Sequence, residues 1–149
     1  MSVKKELEQA LKDAMRSKDD LRKSTLRQAL TAVKFAEVDK KGELDDPAVL
    51  AILQKEVKSR NESIEDARKA RRDDLVSAAE AEIAILEEYL PQPLSEAQLQ
   101  AIVDEAIAEV GATHPGDIGK VMQAVMPKVQ GRADGGQVSQ LVRQKLQSQ

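Results

Sequence analysis

The chain has 149 residues and a mass of 16.3 kDa; 33% of it is charged, 41% belongs to the AVILMFWYC set and only 1% is aromatic. A composition rich in Ala, Leu, Glu, Lys, Arg and Gln and poor in strand formers excludes a β-sandwich or barrel and predicts an all-α protein. No cysteine and a single histidine exclude disulfides, thiol catalysis and Cys- or His-rich metal sites, so neither metal nor cofactor is expected. The start, MSVKKELEQALKDAM, is charged and amphipathic rather than leader-like, and no stretch approaches 18 apolar residues. The expectation is a soluble cytoplasmic protein that does not engage a membrane.

The formal charge of −3 conceals three blocks. Residues 1–72 are net +4, residues 73–119 contain 11 acids and no Lys or Arg, and residues 120–149 are net +4. Two readings fit this pattern: acidic helices packed beside basic ones, or a polyanion-binding face.

Helix punctuation divides the chain into seven helices. The first runs from about Ser2 to Arg16 on a stripe of Val3, Leu7, Ala10, Leu11, Ala14 and Met15. Ser17 is positioned to cap the second, with Asp20 completing a capping box, Leu21, Leu26, Leu30, Val33 and Val38 as its apolar side, and Gly42 as its stop. Asp46 followed by Pro47 starts the third, on Val49, Leu50, Leu53, Val57, Ile64 and Ala67. Arg71, Arg72, Asp73 and Asp74 put bases at one helix end and acids at the next start, as the helix dipole favours. Leu75, Ala79, Ile83, Leu86 and Leu90 form the fourth stripe.

Pro91-Gln92-Pro93 is the one proline-rich break, and it divides a four-helix domain of long antiparallel helices over 1–90 from a linker at 91–94 and a three-helix domain at 95–149. Ser95 and Gln98 form a capping box, Leu94 is placed to staple onto Leu99, and Gly111 ends the fifth helix. A shorter helix from about Pro115 is closed by Pro127 and Gly131. Asp134 caps the last, with Gln137 as partner. The tail domain has about a dozen core side chains, a size at which a core rarely supplies more than ~3–5 kcal/mol.

Few residues invite a chemical reading. His114, between Thr113 and Pro115, lacks converging partners and reads as a cap or a solvent-facing residue. Glu87 and Glu88 are adjacent on a helix and do not face one substrate. Arg27 falls beside an apolar stripe, and Arg60 falls on one, where the third helix steps 53, 57, 60, 64. Counting from a turn near residue 72, Glu82 on the fourth helix lies within about 3 Å of the same axial height as Arg60. An Arg60–Glu82 pair across the helices and a snorkelling arginine are both compatible with that placement. At the tail, Gly131-Arg132-Ala133-Asp134-Gly135-Gly136-Gln137 is a glycine-containing turn entering a helix, with Lys120, Lys128 and Arg132 near in sequence. It reads either as an anion site or as a structural turn, and it is not a phosphate-binding Walker loop.

The segments AMRSKD, STLRQAL, EVD, ILEEYLPQPLS and GKVM…MPKV.GRADGG.VS.LV..KL resemble the GatB/YqeY family, in particular its stand-alone YqeY-like members, over essentially the whole chain. The resemblance implies a helical N-terminal domain plus a tail similar to that of the B subunit of the glutamine-dependent aspartyl/glutamyl-tRNA amidotransferase. It implies a link to carbon–nitrogen ligase activity with glutamine as amido donor, whose kinase and transamidation chemistry belongs to a cradle domain that nothing here matches. By the same resemblance Lys120, Lys128, Arg132, Asp134 and Lys145 are the matching tail positions. Members often read GRADGK, whereas position 136 is Gly here.

The leading expectation is a tRNA-binding or tRNA-amidation-associated accessory in translation without an active site of its own. Lys120, Lys128, Arg132, Gln137, Arg143 and Lys145 are its candidate nucleic-acid contacts, and Asp134, Gly131, Gly135, Arg60 and Glu82 are structural. The alternative is an adaptor that docks an aminoacyl-tRNA synthetase or amidotransferase, marked by an exposed apolar patch rather than a basic groove. A third reading is an amidotransferase that needs a partner. With one Tyr, one Phe and no Trp, any tRNA contact is to phosphate and sugar rather than to stacked bases.

Overall fold

The computed structural model describes residues 2–129 and 132–148. Among them are seven α-helices: α1 Val3–Ser17, α2 Asp20–Lys40, α3 Asp46–Lys69, α4 Asp73–Glu87, α5 Glu96–Val110, α6 Ile118–Val129 and α7 Gly135–Gln147, with a 3-10 turn at Pro115–Asp117 before α6. The fold is all-helical. No helix among the described residues is long and apolar enough to cross a membrane. The chain forms two compact units, Met1–Leu90 and Pro91–Gln149.

In the first unit, α2 packs against α1, α3 and α4, while α3 and α4 form the most extensive pairing. Leu7, Leu26, Val33, Val49, Leu53 and Leu86 are fully buried at its centre. Burial of each such side chain contributes about 1.5–3 kcal/mol. The α2–α3 connection is pinned by Glu37, which accepts from Lys4 Nζ at 2.9 Å and from the Leu44 amide at 3.2 Å. These bonds hold the Glu37 carboxyl below its usual range, with Lys4 the larger cause.

The expected caps shift by a residue or two where a left-handed lysine ends a helix. Lys18, at φ 59°, closes α1 after Ser17, so Asp19 rather than Ser17 caps α2 by accepting from the Arg22 amide. Lys41, at φ 61°, and not Gly42, makes the turn out of α2. Asp45 caps α3, which leaves Asp46 to accept the Val3 amide at 3.0 Å. Helix α4 stops at Glu87, short of Leu90. Four residues assigned to apolar stripes face outward instead: Met15, Leu21, Val38 and Leu75. The inward face of α2 is set by Leu26, Ala29 and Val33, and Leu21 and Val38 fall on the far side of that helix.

Arg60 takes the inward position that its spacing gave it. Its Nε donates to Glu82 Oε2 at 2.8 Å, Nη1 to Glu56 Oε2 at 2.7 Å and Nη2 to Gln28 Oε1 at 2.7 Å. The pairing reading therefore holds over the snorkelling one, and one guanidinium ties α2, α3 and α4 together.

The second unit is built on valine. Val103, Val121, Val125, Val129, Val138 and Val142 are fully buried, together with Leu146 and Ala106. Valine is a mediocre helix former, so these short helices depend on shared burial rather than on propensity. The Ser95–Gln98 capping box is present in both directions, and Gly111 ends α5 at φ 66°. Pro127 does not close α6, which runs on to Val129. Its fixed φ is helical, and inward Val125 and Val129 offset the one lost bond. Gly131 lies outside the described residues.

Two outcomes follow for the first unit, and the fluorescence of Tyr89, which lies in that unit, reads both in urea unfolding of the full chain. Arg60→Ala lowers stability by about 2–3 kcal/mol, because it strands the hydrogen-bonded carboxylates, whereas Glu82→Gln, which keeps an acceptor, costs about 1 kcal/mol. Thr25 is buried and its hydroxyl has no hydrogen-bond partner among the described residues. Thr25→Val therefore stabilises by about 1 kcal/mol.

Candidate nucleic-acid interface

The six candidate contacts all lie in the second unit, and the hairpin of α6 and α7 distributes them along its length. Lys120 and Lys128 are eight residues apart on α6, an axial separation of about 12 Å. That spacing is too wide for the two side chains to form a cradle around a single phosphate.

Three of the six already have partners within the unit. Lys145 Nζ lies 2.8 Å from Asp104 Oδ1, and Lys128 Nζ lies 3.5 Å from Glu109 Oε2; both carboxylates belong to α5. Arg132 is a staple. Its amide donates to Val129 O at 2.8 Å, its carbonyl accepts from the Leu94 amide at 3.0 Å, and its Nε donates to Gln92 O at 3.0 Å. The motif arginine thus ends α6 and holds the proline segment with the same residue. Lys120, Gln137 and Arg143 are exposed. Among the described residues, the side chains of Lys120 and Arg143 make no hydrogen bond or ion pair shorter than 4.0 Å.

Asp134 occupies the N-cap position of α7 but makes no capping hydrogen bond to it, so the expected Asp134–Gln137 box does not form. Its carboxylate instead lies over Gly136, where an added Cβ would sit 3.4 Å from Oδ2, an ordinary contact. Gly135 begins α7, and neither it nor Gly136 adopts a positive φ. His114 caps the 3-10 turn by accepting from the Gly116 amide at Nδ1, 3.2 Å, and stays largely exposed. Asp117 accepts from the Thr113 amide at 3.0 Å, and this bond, more than nearby His114 and Lys120, holds its carboxyl below the usual range.

The first unit assembles differently. Arg60 sits between two carboxylates, and Glu88 receives Arg22 at 2.6 Å, so Glu87 and Glu88 do not converge. Arg27 is exposed. A shallow cavity of about 350 Å³ between α3 and α4 is lined by Asn61, Ile64, Glu65, Arg68, Glu80 and Ile83, with Arg68 and Glu80 3.6 Å apart across it. Among the described residues no group of three His, Cys, Asp or Glu is placed to hold a metal. Sequence reasoning missed the staple by Arg132, because nothing in a linear motif indicates that a carbonyl 40 residues earlier will lie beside it.

The staple has a measurable consequence. Arg132→Ala speeds hydrogen exchange at the Leu94 amide several-fold, whereas Lys128→Ala leaves it unchanged. Equal protection in both variants would reduce Arg132 to a surface cation.

The family model for Yqey-like protein matches residues 4–146. "Altered inheritance of mitochondria protein 41, mitochondrial" from Lachancea thermotolerans is 41% identical over 112 residues, covering 73% of this chain and 60% of that protein. The protein of the same name from Eremothecium gossypii is 38% identical over 111 residues, 72% of this chain and 61% of that protein. The one from Pyrenophora tritici-repentis is 32% identical over 143 residues, 93% and 77%. The chain thus spans about 60% of the length of the first two relatives. Their names correct the expectation of a cytoplasmic protein, since these relatives are named as mitochondrial. Composition separates membrane-spanning and disulfide-rich chains from others, but it does not separate one aqueous compartment from another. With the family model matched from residue 4 to residue 146, the chain belongs to the YqeY-like protein family.

Proposed function

We propose that the chain is a non-catalytic accessory of tRNA amidation that contacts tRNA through exposed cations of its C-terminal unit. The carbon–nitrogen bond chemistry is carried by a separate enzyme. The observation that carries this reading is the pair Lys120 and Arg143, exposed and uncommitted within a unit whose other cations have partners. Lys128 adds to them readily. Its pair with Glu109 is open to solvent, with side chains 41% and 63% exposed, and such pairs contribute about 0–1 kcal/mol. A tRNA phosphate therefore competes for it at small cost. Binding of this kind is shape-dependent and salt-sensitive and uses no base stacking.

A second reading, the adaptor, is favoured by Phe35 and Val38, which stand exposed on α2. It is tested by direct binding of a purified amidotransferase or aminoacyl-tRNA synthetase to the full chain.

Binding of tRNA across a salt series tests the first reading. The slope of log affinity against log salt falls by roughly 0.7–0.9 for each phosphate that the protein ceases to neutralise, so Lys120→Ala/Arg143→Ala reduces it by about twice that amount. Gly136→Lys introduces the family's commoner residue at a position that admits a Cβ, and it steepens the slope by about 0.7–0.9, the increment of one further phosphate. No binding of tRNA at low salt overturns the reading.

A further inference from the structure

Helix α2 has one side that no neighbouring helix of its unit covers. Its inward side is Leu26, Ala29 and Val33. On the opposite side Arg27, Thr31, Lys34, Phe35 and Val38 are all exposed, and spacings of three, four and seven residues place them on one stripe. Single exposed apolar residues are ordinary on a protein surface. Here the two most exposed large hydrophobics of the described residues, Phe35 at 70% and Val38 at 67%, sit one helical turn apart. Beside them run two cations, Arg27 and Lys34, whose side chains have no partner among the described residues. The helix's own acids do not neutralise them. Glu37 is held by Lys4 and Leu44, Asp39 lies beyond Phe35 on the far flank, and Asp20 stands two turns before Arg27, 3.9 Å from Lys23 Nζ.

We propose that this stripe is a docking surface for an acidic amphipathic helix of a partner protein. The partner's apolar side chains cover Phe35 and Val38 while its carboxylates meet Arg27 and Lys34. The proposal rests on the adaptor reading and supplies its contact surface. Charge selects the occupant. A second copy docking α2 on α2 would offer Arg27 and Lys34 no carboxylate, since the stripe carries none. A nucleic acid gives Val38 nothing to bury against, and one aromatic is no stacking platform. Two apolar residues on a 21-residue helix do not make a membrane-interface face. An amphipathic helix with apolar residues three and four apart matches the spacing of Phe35 and Val38, and aromatic and arginine side chains are favoured anchors in such interfaces.

The test is a titration of the isotope-labelled full chain, followed by amide shifts. The probe is a synthetic Glu-rich helical peptide with leucines at i, i+3, i+4 and i+7. Shifts are expected along α2 between Arg27 and Val38. Phe35→Ala/Val38→Ala weakens binding about tenfold or more without moving the unfolding midpoint read by Tyr89. Arg27→Glu/Lys34→Glu abolishes it and gains binding to a Lys-rich peptide of the same pattern. Equal binding of a scrambled peptide of the same composition overturns the proposal. So do α2 shifts produced by tRNA or by phosphatidylserine vesicles but not by the acidic helix, and so does a dimer that the double alanine variant dissolves. A purified synthetase or amidotransferase that binds wild type and the double alanine variant equally overturns the α2 site while leaving the adaptor reading in place. If neither enzyme binds but the acidic helix shifts α2, the surface stands and those two enzymes are excluded as its partner.

Discussion

A guanidinium removed from water must have every face met, and Arg60 meets that requirement with groups from three helices. Glu82 from α4, Glu56 from its own helix and Gln28 from α2 receive its three nitrogens. Left unpaired, a charge at that depth would cost several kcal/mol, so α2, α3 and α4 are compatible only in the rotation that closes this set. The rotation of α2 has consequences elsewhere. With Leu26, Ala29 and Val33 inward, Arg27, Lys34, Phe35 and Val38 are left on the outside. The outward stripe is the other side of the constraint that builds the core.

The segregation of charge along the chain follows the same logic of neighbouring helices. The acidic stretch from Asp73 to Asp117 is answered within each unit by basic side chains from adjacent helices. Arg22 meets Glu88 and Arg60 meets Glu82 in the first, and Lys128 meets Glu109 and Lys145 meets Asp104 in the second. The exposed pairs among these contribute little stability individually. They rank the tail's cations by availability: Lys120 and Arg143 are uncommitted, Lys128 is displaced from Glu109 at small cost, and Lys145 and Arg132 are bonded within the unit. A count of Lys and Arg along the sequence therefore overstates the binding surface of the tail, and the proposed tRNA contact narrows to Lys120 and Arg143 with Lys128 in support.

Membership of the YqeY-like family accounts for the tail motif as architecture first. Arg132 bonds through its amide, its carbonyl and its side chain, which makes the motif a lock on the segment that follows Leu90. Nothing in that arrangement prevents the outer nitrogens of the guanidinium from meeting a phosphate. The residue's bonding pattern is nevertheless what the connection between α6 and α7 demands, since the last carbonyls of α6 and the amide of Leu94 need partners.

Local chemistry alone determined much of the molecule. Seven helices, the Ser95–Gln98 capping box, the Gly111 stop and the break at the prolines follow from periodicity and capping. These are short-range effects, decided within one or two turns. The placement of Arg60 on an apolar stripe was also legible, and its pairing with Glu82 was one of two readings between which packing decided. Tertiary structure decided the rest. Whether Val38 and Leu21 complete a core or face water depends on which neighbours α2 meets, and apolar spacing does not carry that information. Whether Lys128, Arg132 and Lys145 are free or bound depends on Glu109, Gln92 and Asp104, residues 19 to 41 positions away in the chain that packing brings within hydrogen-bonding reach.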